Sequence, residues 1–186
     1  MEEIKKIVEV LNQGGIILYP TDTVWGIGCD ATNEEAVRKI YQLKQRADSK
    51  SMLVLTDSMA KVSAHVKEVP EVVWDLVDCA TRPLTIIYPE GRNLAPNLLA
   101  EDGSIGIRIT EEPFSKRLCQ QFKRPIVSTS ANISGEPTPA FFAEISQAIK
   151  EGVDYIVEAK RNDTEKKQPS SIIKFEKNGT FAIIRP

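Results

Sequence analysis

The chain has 186 residues, enough for one domain with a substantial core, and its 41% hydrophobic and 27% charged residues exclude a disordered or collagen-like chain. A net charge of −2 excludes a bulk attraction to nucleic acid or anionic membrane, so any polyanion site must be a local cluster of cations. Three scattered cysteines (Cys29, Cys79, Cys119) and one histidine (His65) argue against a zinc site or a disulfide framework, and without a secretory core or an apolar run of roughly 20 residues a reduced, cytoplasmic setting is expected.

Ile4, Ile7, Val8 and Leu11 fall on one helical stripe, with Gly14 placed as a C-terminal cap. Ile16 to Tyr19 reads as a strand ended by Pro20, so Thr21, Asp22 and Thr23 follow a strand end. Thr32 and Glu35 form a capping box that predicts a helix from Asn33 through Val37, Ile40 and Leu43. Ser51 to Leu55 reads as a strand, and Pro70 starts a helix carrying Val73, Leu76, Val77 and Ala80 on one face. Leu84–Tyr88, Ile105–Ile109, Pro125–Thr129 and Tyr155–Val157 supply further strands, with helices at Pro113–Phe122 and Ala140–Lys150. Ile172–Phe175 and Phe181–Ile184 flank Asn178-Gly179, a hairpin signal. The alternation predicts an α/β (mixed α+β) single domain over residues 1–186.

Gly26-Ile27-Gly28-Cys29-Asp30-Ala31 matches the loose dinucleotide pattern G-x-G-x-x-G/A, but Thr21 to Trp25 separate it from the first strand, so the glycines read as structural turn residues. Lys44 and Arg46 project to opposite sides of a continuous helix. A helix stopping near Leu43 would let Lys44, Arg46 and Lys50 converge on one anion; the alternative is a solvated basic helix end favoured by the helix dipole. Hydroxyls and an amide crowd the strand end Ser128-Thr129-Ser130-Ala131-Asn132, either as a plain turn or as a ligand site. Parallel strands would make that segment a neighbour of Thr21 to Thr23, where open α/β sheets bind ligands. Arg108 needs a partner, as a structural ion pair or a carboxylate clamp. His65 reads as a surface or packing residue, Cys29 as a small partly buried one, and Lys160, Arg161, Lys166 and Lys167 as a solvated loop.

In order along nearly the whole chain, YPTDTVWGIG, LKQR with Lys50 downstream, RPLTIIYP, SIGIRI, STSANISGEPTP, QPSSII and IIRP resemble the YrdC-like threonylcarbamoyl-AMP synthases, which make the activated intermediate for the tRNA modification threonylcarbamoyladenosine. The resemblance implies a twisted mixed sheet flanked by helices around a positively lined cavity. It implies a reaction of ATP, L-threonine and bicarbonate that releases pyrophosphate, with Mg²⁺ on phosphate oxygens and no metal site built by the protein. The family's K-x-R and S-x-N pairs stand here as Lys44/Arg46 and Ser130/Asn132, the catalytic set it implies. Lys44, Arg46, Lys50, Ser104, Ser130, Asn132, Thr138 and Arg185 would hold ATP, and Thr23, Arg108, Ser128 and Ser170 would hold threonine. The implied partners are threonylcarbamoyl-transferase proteins and tRNA or double-stranded RNA, with no membrane. Trp25, Ala47, Ser51 and Arg82 depart from the usual tyrosine, prolines and glycine, and the resemblance is to the short form, for which the extra C-terminal domain of longer members is not expected. The rival readings are an RNA-binding YrdC/YciO-like module and a carbamoyl-transfer paralogue; the asparagine at 132 favours the synthase, because YciO-like members tend to lose it.

Overall fold

The computed structural model describes residues 2–45 and 52–186. Helix α1 (Glu2–Asn12) lays Ile4, Ile7 and Leu11 against strand β1 (Ile17–Tyr19), and Gly14 makes the turn between them at φ +73°. A strand that the sequence did not suggest follows: Gly26–Gly28, here β2, so these glycines are sheet residues and not turn residues. The reason is crowding. A Cβ on Gly28 would lie 2.6 Å from both Tyr19 Cε1 and the Val127 carbonyl oxygen, so only glycine lets the neighbouring strands close.

Helix α2 (Glu34–Lys44) starts one residue later than a Thr32 cap implies. Asn33 is the N-cap, accepting from the Ala36 amide, while the Thr32 hydroxyl donates to the buried Asp30 carboxylate at 2.7 Å. Strand β3 (Leu53–Thr56) leads to α3 (Met59–His65) and α4 (Glu71–Asp78), then to β4 (Leu84–Tyr88), β5 (Ile105–Ile109), α5 (Pro113–Phe122) and β6 (Ile126–Ser130). The single helix expected at residues 140–150 is two pieces. A 3₁₀ turn at Phe142–Glu144 precedes α6 (Gln147–Gly152), because the Ser146 hydroxyl caps a new helix by accepting from the Ile149 amide. Strand β7 (Tyr155–Ile156) and the hairpin of β8 (Ser171–Phe175) and β9 (Phe181–Arg185) complete the chain.

Among the described residues the strands form one mixed sheet in the order β7-β1-β2-β6-β3-β5-β4-β8-β9. Both β1 and β6 run antiparallel to the β2 between them and therefore point the same way, so residues 21–23 and 128–130 reach the same end of the sheet. Pairing of Thr85 with both Arg108 and Ile172 puts these three on one face, while Ile86, Ile107 and Ile173 face the other. In β9, Ile183 opposes Ile173 but Arg185 opposes Ile172, an irregularity that leaves Ile184 unpaired and turns Arg185 onto the Arg108 face. No helix among the described residues is long and apolar enough to cross a membrane.

Candidate active site

The end of β1 opens into a tight polar loop. Thr21 Oγ1 donates to the Val24 carbonyl at 2.6 Å and accepts from the Thr23 amide, which holds Thr23 and Asp22 in fixed directions. Facing this loop are Ser128 and Ser130, two residues apart on β6 and hence on one side of the strand. Together with Arg108, Ser170, Thr138 and Arg185 they enclose a cavity of about 360 Å³. Its lining carries two guanidinium groups and several hydroxyls, with no carboxylate among the described residues.

Arg108 is the buried cation of this cavity. Nη2 lies 3.3 Å from Thr23 Oγ1 and 3.0 Å from Asp22 Oδ1, whereas Nε is buried with no hydrogen-bond acceptor among the described residues. Burial pulls the guanidinium's pKa down against the opposing effect of Asp22, and burial raises that of Asp22 more than Arg108 lowers it. The ion pair is therefore incompletely compensated, and an incoming carboxylate would find an unused edge of the guanidinium fork. Arg185 is fixed beside it by Nε donating to the Ser170 carbonyl at 2.6 Å and Nη2 to Ser170 Oγ at 3.2 Å. Ser170 Oγ in turn lies 2.9 Å from Thr85 Oγ1.

Lys44 and the segment Ser130 to Asn132 meet, but in a way that their spacing did not reveal. The Lys44 side chain is buried, and its ammonium donates to the carbonyls of Ser130 at 2.5 Å and Asn132 at 2.6 Å. The same loop returns a bond, the Ser134 amide donating to the Lys44 carbonyl at 2.8 Å. The loop after β6 thus caps the C-terminus of α2, where orphan carbonyls and the negative dipole end favour both contacts. Asn132 Nδ2 donates to the Glu136 carbonyl at 2.7 Å, closing the loop on itself. Thr23, Arg108, Ser128, Ser130, Thr138, Ser170 and Arg185 line the cavity. Lys44, Asn132 and Ser104 are not in that lining: Lys44 bonds to Asn132 in the loop that follows Ser130, and Ser104 sits just before β5 with its amide on Asp102 Oδ1 at 2.9 Å. Arg46 and Lys50, like Ala47 and Ser51, lie outside the described residues.

The run at residues 159–169 does more than solvate the surface. Lys167 donates to the Thr21 carbonyl at 3.0 Å, Lys160 pairs with the buried Glu112 at 2.6 Å, and Arg161 donates to the carbonyls of Ile156 and Val157. Arg161 also lies over Phe142, which packs on Trp25 with centroids 4.8 Å apart. These contacts strap the segment across the Thr21–Trp25 loop. Sequence reasoning missed the strap because its partners are distant, and it gave Asp22 no role, although the polar triplet Thr21-Asp22-Thr23 after Pro20 was the signal available. His65 faces the Asn93 carbonyl at 3.2 Å, and Cys29 is buried with its thiol pKa pushed up chiefly by burial, in keeping with packing roles.

A family model described as "Sua5_yciO_yrdC: Telomere recombination" matches residues 9–186. A curated relative from Hahella chejuensis is 36% identical over 98% of this chain and 97% of its own length, and one from Pseudoalteromonas translucida is 34% identical over 91% of each; both are named threonylcarbamoyl-AMP synthase. The crystal structure of P. abyssi Sua5 complexed with L-threonine matches with a TM-score of 0.82 and 23% identity, covering 92% of this chain and 50% of that one. That likeness establishes a shared fold.

Proposed function

The chain belongs to the Sua5/YciO/YrdC family, and from that premise we propose that it is a threonylcarbamoyl-AMP synthase acting on L-threonine, bicarbonate and ATP. The observation that carries this reading is Arg108, a buried guanidinium whose Nε has no acceptor among the described residues, set among hydroxyls in a cavity whose described lining holds no carboxylate. Its size suits small molecules better than a polymer. Arg108 would receive the threonine carboxylate, with Thr23, Ser128 and Ser170 around the rest of the amino acid. Ser130, Thr138 and Arg185 would meet the nucleotide, joined by Arg46 and Lys50. Lys44 and Asn132 would act by holding the loop that aims Ser130, and Ser104 would serve as a more distant nucleotide contact.

In this reaction the threonine amine and bicarbonate condense to a carbamate with loss of water. A carbamate oxygen then attacks the α-phosphorus of ATP, and the bond to the departing pyrophosphate breaks. Such chemistry asks for alignment of reactants and stabilisation of charge on phosphate oxygens, which cations and hydroxyl donors supply without a histidine base. For Mg²⁺ the lining offers hydroxyls but no carboxylate, and no cluster of metal-binding side chains exists among the described residues. The ion would therefore arrive on the phosphate oxygens of the nucleotide. Cys29, Cys79 and Cys119 are all free thiols, which suits a reducing cytoplasm, and the product would pass to proteins that transfer it to tRNA.

Pyrophosphate release by the purified chain with ATP, with threonine and bicarbonate each supplied or withheld, tests the reading. Release that requires both is expected; equal release in every mixture overturns it.

A further inference from the structure

On the other face of the sheet lies a second hollow of the same size, about 360 Å³. The pleat explains its character: Arg108 and Thr85 face the candidate active site, so Leu84, Ile86, Tyr88, Ile107 and Ile109 point the opposite way. Val62 of α3 and Val77 of α4 form the other wall, leaving a cleft with an aliphatic interior. Asp22, Glu111 and Arg82 also line it, two carboxylates and one guanidinium. Asp22 separates the two hollows, since its Oδ1 faces Arg108 and is buried without a well-formed hydrogen bond among the described residues.

The chemistry of this lining selects among ligand classes. Asp22 already pairs with Arg108 and the exposed Glu111 with Lys116 at 2.6 Å, whereas Arg82 has no acidic partner among the described residues, so a purely apolar molecule would fill the interior but leave Arg82 without a counter-charge. A fatty acid would bring its carboxylate to two others, and an alkyl amine would leave Arg82 without a partner. A zwitterion on a large apolar side chain satisfies all of them. We propose that this cleft is a second binding site, for a free α-amino acid with a large apolar side chain. The ammonium lies at Asp22 and Glu111, the carboxylate at Arg82, and the side chain among Val62, Val77, Ile86 and Ile107. Because the ammonium competes with Arg108 for Asp22 and with Lys116 for Glu111, occupancy loosens the tether of Arg108 on the far side of the sheet. The site itself does not depend on the reaction proposed above.

The test is calorimetric titration of the full chain with L-leucine and L-phenylalanine, alongside amide chemical-shift mapping. Saturable binding of at least one is expected, with shifts centred on Val62 and Val77. N-acetylation, which removes the ammonium, and amidation, which removes the carboxylate, should each weaken binding about tenfold or more, as loss of a charged hydrogen bond does. Val77→Phe should fill the cleft and abolish binding; if that variant does not fold, Ala80→Phe at the exposed rim takes its place. Failure of both amino acids to saturate overturns the proposal, as does equal binding of the capped forms, shifts centred on Arg108, or binding that survives in the folded filling variant.

Discussion

Replacing Lys44 by methionine separates two roles for this buried lysine. Its ammonium donates to the carbonyls of Ser130 and Asn132, and methionine matches its length without a donor. The Ser130 carbonyl keeps the Asn132 amide as a donor at 2.9 Å, so only the part-buried Asn132 carbonyl loses its partner, at about 1–3 kcal/mol, partly offset because an ammonium no longer has to be desolvated. A net loss of about 1–2 kcal/mol is expected, seen as a lower urea midpoint at unchanged slope. For a chain of this length each kcal/mol moves the thermal midpoint by about 2–4 °C, so a fall of about 2–8 °C should accompany it. Threonine-dependent pyrophosphate release should fall too, because the loop that presents Ser130 is anchored by those two bonds. Unchanged stability combined with weakened ATP binding would refute this reasoning and place the ammonium directly on the nucleotide.

Gly28→Ala should destabilise the fold by about 1–3 kcal/mol, since the new methyl meets the Tyr19 ring and the Val127 carbonyl at 2.6 Å; Gly106→Ala, whose Cβ meets nothing nearer than 3.5 Å, is the near-neutral control in the same thermal melts. Arg108→Lys keeps the charge but loses the planar fork and should raise the threonine KM by about tenfold or more, read from the same pyrophosphate assay; an unchanged KM would remove Arg108 from the threonine site. Burial alone would raise the Glu112 pKa, but Lys160 and the amides of Ser115 and Phe114 outweigh it and hold the carboxyl below its ordinary value. A depressed carboxylate contributes stability that is present above its unfolded pKa near 4.5 and is lost as pH falls through the folded one. Glu112→Gln should therefore cost about 1–2 kcal/mol at pH 7 and give a flatter stability curve between neutral pH and about pH 3, measured by urea unfolding.

The amino-acid order by itself determined most of the helices, though not α3, and most of the strands, because each is a local pattern: the stripe Ile4, Ile7 and Leu11, the run Leu84 to Tyr88, the turn at Asn178-Gly179. It also marked the hydroxyl-rich strand ends that line the cavity, since Pro20 and the cluster after Val127 are local signals as well. Tertiary structure alone decided the rest. Gly26–Gly28 is a strand because Tyr19 and Val127 close around it, and Arg185 reaches the cavity because one irregular residue pair in β9 reverses its face. The ammonium of Lys44 serves carbonyls 86 and 88 residues away, and Asp22 answers a guanidinium 86 positions further on, as 108 less 22 gives. A side chain's period reveals which way it points, but its partner is fixed only when the whole sheet has assembled and burial makes every unpaired polar atom costly.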